Sequence, residues 1–128
     1  MNVVDSSGWL EYFADGPNAG FFAEPIEAVA DLIVPVISLY EVFKRILQQR
    51  DEGAALQAVA LMRQGRVVDL SEALALSAAR LSVKHRLPMA DSLMLATARR
   101  FEATLWTQDA DFDGIPGVRF RAKTQGET

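Results

Sequence analysis

The sequence predicts an α/β fold in which a short parallel sheet carries helices on both faces. Short, almost wholly apolar runs of strand length recur at Val3-Val4, Leu32-Ile33-Val34, Val67-Val68 and Leu105-Trp106. Longer segments with helical spacing separate them. Strands buried on both faces read as continuous apolar runs, and strand–helix alternation implies parallel pairing. At 128 residues the chain has the size of one domain with a real core.

The elements follow in order. Asn2-Val3-Val4-Asp5 reads as a buried strand ending on an acid. Ser6-Ser7-Gly8 is expected to turn the chain into a short helix whose apolar face is Trp9, Leu10, Tyr12 and Phe13. Asp15-Gly16-Pro17-Asn18 is a loop by its turn chemistry. A helical segment follows to about Val29, with Phe21, Phe22 and Ile26 as core candidates. Leu32-Ile33-Val34 is the second strand, and Val36-Ile37 carries the apolar character past Pro35. Ser38-Leu39-Tyr40-Glu41 matches a capping box, with Ser38 at the N-cap of a helix running to about Gln49. Glu52 to Gln64 is an Ala-rich helix, a candidate for a partner contact with core packing as the even alternative.

The third strand is expected over Arg66–Leu70, and Ser71 caps a helix bearing Leu74, Ala78 and Leu81. Lys84-His85-Arg86 closes it, cations suiting a helix C-terminus. Pro88 then starts a helix from Met89 to about Arg100, since its fixed φ and missing N–H suit a first turn. That helix is apolar on nearly every side, the mark of an inner helix. Ala103–Thr107 is a fourth strand, Gln108–Gly114 an acidic turn, and Val118-Arg119-Phe120 an edge strand. Residues 1–121 form the expected domain, and 122–128, with no apolar content beyond Ala122, are expected to fray.

Composition narrows the chemistry. A net charge of −4 gives no bulk electrostatic footprint for nucleic acid, so a binder must concentrate its 13 basic residues locally. Without cysteine there are no disulfides, thiolate metal sites or cysteine nucleophiles. His85, the one histidine, excludes multi-histidine metal sites. Oxygen ligands and hard cations are what remain. No secretory signal pattern opens the chain and no apolar run reaches membrane-spanning length, so a cytoplasmic setting without membrane contact is expected.

Binding sites in parallel α/β sheets lie beyond the carboxyl ends of the strands. Asp5 ends the first strand, Glu41 opens the helix after the second, Asp109 follows the fourth, and Asp91 begins the helix leading into the fourth. Each acid has an ordinary structural use as a cap, a turn residue or a macrodipole partner. Taken singly, that use is favoured for Glu41 and Asp109, is even for Asp5, and is disfavoured for Asp91 on its apolar helix. Together at one rim, four carboxylates repel and raise one another's pKa unless a cation neutralises them. A divalent ion is the economical partner, and it suits metal-assisted phosphodiester hydrolysis. Asp109-Ala110-Asp111-Phe112-Asp113-Gly114 opens like a calcium-binding EF-hand, but the twelfth position is Phe120 rather than Glu, which rejects that reading. Lys44, Arg45, Arg99 and Arg100 are favoured as surface ion-pair and helix-end residues, and His85 as a surface residue.

Val3-Val4-Asp5-Ser6-Ser7, Ser38-Leu39-Tyr40-Glu41-Val42, Leu87-Pro88-Met89-Ala90-Asp91-Ser92 and Leu105-Trp106-Thr107-Gln108-Asp109-Ala110-Asp111-Phe112 together resemble the PIN domain, specifically the VapC-type toxin ribonucleases of bacterial toxin–antitoxin pairs. The resemblance covers nearly the whole chain, in the family's order. It implies a three-layer α/β/α sandwich and an acidic quartet of Asp5, Glu41, Asp91 and Asp109 holding Mg²⁺ or Mn²⁺. Thr107 and Ser6 would support the site, with Asp111 the alternative to Asp109 as the fourth acid. It further implies RNA cleavage by metal-activated water, a homodimer, and a cognate antitoxin forming a toxin–antitoxin hetero-oligomer. The competing readings are a non-catalytic interaction module and a PIN nuclease outside a toxin–antitoxin pair. A haloacid-dehalogenase-type phosphatase is a poor fit, because Asp113 stands where its motif needs Thr or Val.

Overall fold

The computed structural model describes residues 1–123. Of the segment expected to fray, 124–128 lie outside the described residues, and Ala122 is tied down by its carbonyl, which accepts from Asn18 Nδ2 at 3.0 Å. The order is β1 (Asn2–Val4), α1 (Ser6–Phe13), α2 (Ala19–Glu27), β2 (Leu32–Pro35), α3 (Val36–Gln49), α4 (Glu52–Met62), β3 (Arg66–Val68), α5 (Glu72–His85), α6 (Met89–Arg100), β4 (Thr104–Thr107) and β5 (Val118–Phe120). No helix among the described residues is long and apolar enough to cross a membrane.

The five strands form one sheet in the order β3-β2-β1-β4-β5, and every pairing is parallel. Strand periodicity sorts its side chains into two layers. Val4, Leu32, Val34 and Trp106 face a core with Trp9, Phe22, Val42 and Met62, drawn from α1 to α4. Val3, Ile33 and Leu105 face the opposite core with Met94, Leu95 and Ala98 of α6. Leu74 and Ala78 of α5 pack on Leu93 and Ala96 of α6, covering that second layer. The molecule is therefore a three-layer α/β/α sandwich.

Helix α6 is the inner helix its sequence predicts: every residue from Ser92 to Ala98 is buried. Its polar members are satisfied locally, Ser92 Oγ donating to the Met89 carbonyl at 2.7 Å and Thr97 Oγ1 to that of Leu93 at 2.8 Å. Ser71 caps α5 as expected, accepting from Leu74 N–H at 3.1 Å.

Three local expectations need correction. Ser6-Ser7-Gly8 is not a turn but the first turn of α1, capped by Asp5. Gly8 is required there by packing: a Cβ on it would lie 2.5 Å from the Phe22 ring and 2.8 Å from Val4 Cγ1. The second correction is that Val36-Ile37 do not prolong β2. Helix α3 starts at Val36, with Pro35 at its N-cap and no side-chain capping bond. The capping box at Ser38 and Glu41 is therefore absent. Ser38 is fully buried, its hydroxyl 3.2 Å from Met94 Sδ, so it stitches α3 to α6. Third, the helix expected through Val29 stops at Glu27, and a 3₁₀ turn over Val29–Asp31 leads into β2.

Candidate active site: an acidic cluster at the switch point of the sheet

From β1 the chain steps outward to β2 and β3, then returns past β1 to β4 and β5. The strand order thus reverses between β1 and β4, and a crevice opens beyond their carboxyl ends at such a point. Asp5 is the residue after β1 and Asp109 follows β4 by two positions, while α6 brings Asp91 to the same rim in its first turn. One carboxylate oxygen from each of Asp5, Asp91 and Asp109 lies within 4.8 Å of the others.

Asp5 is only 3% exposed and is held from three sides. Its Oδ1 accepts from Ser6 N–H at 2.8 Å, and its Oδ2 accepts from Ser7 Oγ at 3.0 Å and Thr107 Oγ1 at 2.9 Å. Thr107 Oγ1 in turn accepts from Asp109 N–H at 3.0 Å, so one buried hydroxyl joins the ends of β1 and β4. Asp109 Oδ1 accepts from Asp111 N–H at 2.9 Å. Asp111 itself is exposed and lies outside the triplet.

Glu41 also lies outside the triplet, yet it lines the same cleft of about 340 Å³. Its Oε1 accepts from Ser6 Oγ at 2.7 Å, which couples it to the residue beside Asp5. Lys44 and Arg45, one turn further along α3, line this cleft as well, so they face the acids. Arg99 is an ordinary helix-end residue that donates to the Pro116 carbonyl at 3.2 Å. His85 ends α5 and takes no part in lining the cleft.

Burial pushes the Asp5 carboxyl up from 3.8 to about 6, against the lowering effect of its hydrogen bonds from Thr107, Ser7 and Ser6; the Asp109 charge adds to the rise. Asp91 rises to about 7, first through burial and then through the charges of Asp5, Asp109, Glu41 and Asp111. Such a group of hard oxygen donors, desolvated and mutually repelling, fits a hard divalent cation such as Mg²⁺ or Mn²⁺.

Sequence reasoning missed the positioning roles of Ser7 and Asn18. Ser7 reads as a turn residue by composition, yet its hydroxyl, two positions past a strand-end acid, is within reach of that acid and donates to it. Asn18 is 4% exposed and donates to both Gln108 Oε1 and the Ala122 carbonyl at 3.0 Å. It sits in a loop by composition, and nothing local marks it.

A parallel α/β sheet with three carboxylates converging at its switch point, beside an open cleft, defines a class: α/β/α proteins with an acidic cluster that could hold a hard cation. The PIN domain model matches residues 3–118, and the chain belongs to the PIN-domain family. The fold is similar to a chain of a toxin–antitoxin complex from Klebsiella pneumoniae, with a TM-score of 0.76 at 23% identity over 93% of this chain and 96% of that one. It is similar to VapC20 of Mycobacterium tuberculosis, a Sarcin-Ricin loop cleaving toxin, with a TM-score of 0.75 at 18% identity over 91% and 95%. A chain of VapBC2 from Rickettsia felis, bound to a DNA fragment from its promoter, aligns with a TM-score of 0.73 at 15% identity over 94% and 97%. No curated protein matches the chain by sequence.

Proposed function

We propose that this protein is a divalent-metal-dependent endoribonuclease, the toxin half of a toxin–antitoxin pair, with its nuclease domain spanning residues 1–121. The observation that carries the reading is the convergence of Asp5, Asp91 and Asp109 carboxylates within 4.8 Å at the switch point of a PIN fold. Those three would hold Mg²⁺ or Mn²⁺. When bound, the ion lowers the pKa of a water and steadies charge on the leaving oxygen. Hydrolysis adds the water oxygen to phosphorus, breaks the bond to the leaving oxygen and protonates that oxygen. Glu41, braced by Ser6, would add a further oxygen ligand or take the attacking water's proton. Thr107 fixes Asp5, and Asp109 is preferred over Asp111 as the fourth acid because Asp109 belongs to the triplet and Asp111 does not.

A second groove, about 380 Å³ and mainly apolar, lies between α1, α3 and α4, bordered by Phe13, Ile46, Ala58 and Leu61. An amphipathic segment of a cognate antitoxin fits such a groove, and several structural neighbours come from toxin–antitoxin complexes. A homodimer within a hetero-oligomer is the assembly this reading implies.

Asp5→Asn and Asp91→Asn test the chemistry. The reading predicts that wild type cuts RNA with Mg²⁺, stops with EDTA, and loses at least a hundredfold in rate in either variant while far-UV circular dichroism is unchanged. Undiminished cutting by the Asn variants sinks it. No Mn²⁺-dependent change in Tm would instead favour the non-catalytic interaction module. A short reading frame just upstream encoding a DNA-binding protein separates the toxin role from a PIN nuclease working alone.

A further inference from the structure

A second cleft of about 330 Å³ adjoins the first, and the two meet at Ser7 and Asp109, which line both. Asp109 therefore stands at the saddle between two hollows, with Asp5 and Asp91 on the side of the first. Each hollow offers an aromatic side chain and a lysine. On one side Tyr40 is 60% exposed, with Lys44 Nζ 5.6 Å from its ring centroid. On the other side the lining includes Phe120 and Lys123.

The second hollow is rigidly framed. Phe120 is in register with Thr107, and the Arg121 N–H donates to the Thr107 carbonyl at 3.0 Å, so the strand carrying Phe120 is fixed to the strand that ends in the acids. Asn18, buried beneath, ties Gln108 on one wall to Ala122 on the other. Tyr40 lines the first cleft while leaving most of its surface in water. An aromatic face beside a cation is what a nucleobase and its phosphate recognise, each stacked base contributing enough to matter without regard to sequence.

We propose that the two hollows are nucleotide subsites on either side of the scissile phosphate, one base stacking on Tyr40 and the other on Phe120, with Lys44 and Lys123 on the flanking phosphates. This rests on the nuclease reading above and deepens it. The substrate is gripped as an unstacked single-stranded step, because a base inside a duplex cannot offer its face to a ring. Tyr40 and Phe120 are positioning residues of separate sites, so their effects are assignable to opposite sides of the cut.

The test uses the full-length protein and a fluorescent pentaribonucleotide containing the mapped cut site. Two partners of the oligonucleotide carry an abasic residue immediately 5′ or 3′ of the cut. Wild type is expected to lose roughly tenfold in kcat/KM with either abasic RNA. Tyr40→Ala is expected to cut the intact RNA about tenfold more slowly and to be indifferent to the abasic residue on one side only. Phe120→Ala should be indifferent on the other side only. Phe120→Leu, which keeps apolar bulk without a flat ring, repeats the measurement should the alanine variant be unstable. A Mn²⁺-dependent Tm shift equal to wild type checks that the metal site is intact. Variants that retain both abasic penalties, or that both respond to the same side, overturn the proposal. If wild type cuts no RNA, the nuclease reading fails separately. The subsites are then judged by fluorescence anisotropy of the pentamer with Ca²⁺ replacing Mg²⁺: a tenfold weaker Kd in each variant supports them, and unchanged affinity overturns them.

Discussion

Thr107 joins two of the acids at the rim: its hydroxyl donates to Asp5 and accepts from the Asp109 backbone. Thr107→Val keeps the shape and removes both bonds, leaving a buried carboxylate and an amide short of a partner. Chemical denaturation should read a loss of about 1–3 kcal/mol, whereas Thr107→Ser, which retains the hydroxyl, should lose less. Asp5 and Asp91 set the response to pH. Their folded values of about 6 and 7 lie above 3.8, so between about pH 4 and 7 the folded chain holds more protons than the unfolded one. The metal-free protein is therefore most favoured at the acid end of that window and loses stability as pH rises through it. Metal binding needs both carboxylates ionised, so Mn²⁺ affinity should climb between pH 5 and 8, with protons released on addition. Isothermal titration in two buffers of different ionisation enthalpy checks this. Asp91→Asn removes a repelling charge, and since Asp91 is only partly buried its metal-free gain at pH 8 should be modest, of order 1 kcal/mol. At this scale the convergence of Asp5, Asp91 and Asp109 was legible in the sequence because Asp5 directly follows an apolar strand, Asp91 opens an apolar helix and Asp109 stands two residues past another strand. Ser38 has no such clear signature, because a hydroxyl three residues before Glu41 satisfies a capping pattern equally well when it faces a methionine on another helix.

Among the elements, α1 shows how a pattern can be right in residues and wrong in role. Gly8 reads as a turn from composition, but it is the smooth patch on which Phe22 of α2 rests. Gly8→Ala should lower stability by about 1–3 kcal/mol through overpacking, seen as a lower Tm. The α5–α6 junction works the other way. Arg86 terminates α5 in the left-handed region at φ 57°, a conformation that costs a side-chain-bearing residue free energy and suits glycine. Arg86→Gly should therefore raise Tm by an amount equivalent to about 0.5–1 kcal/mol, after the extra unfolded-state entropy of glycine is subtracted. The strands and α6 were legible because burial on both faces leaves little room for polar residues. Boundaries at Pro35 and Glu27 were not, since an apolar residue beside a proline or before a 3₁₀ turn carries the same signature in either state. Asn18 belongs with them, its partners Gln108 and Ala122 standing about a hundred residues away along the chain.

For the molecule as a whole, the parallel architecture followed from the alternation of elements, while the strand order had no local signature. The groove between α1, α3 and α4 and the acid cleft lie on separate linings joined at Leu10. Leu61→Glu, at the groove's far border, should abolish antitoxin binding in a pull-down while leaving Mg²⁺-dependent RNA cutting at the wild-type rate. Loss of both together would mean that the two surfaces are one. The position of β1 at the centre of the sheet has a consequence in time. Its partner β4 leaves the ribosome about a hundred residues later, and Thr107 bonds Asp5 across 102 positions. During synthesis Asp5 and Glu41 exist with neither Asp91 nor Asp109 beside them. The three carboxylates can come together only once β4 has been made and lies against β1. A growing chain therefore lacks the assembled triplet, and whatever chemistry that triplet supports is withheld until nearly the whole domain has been made.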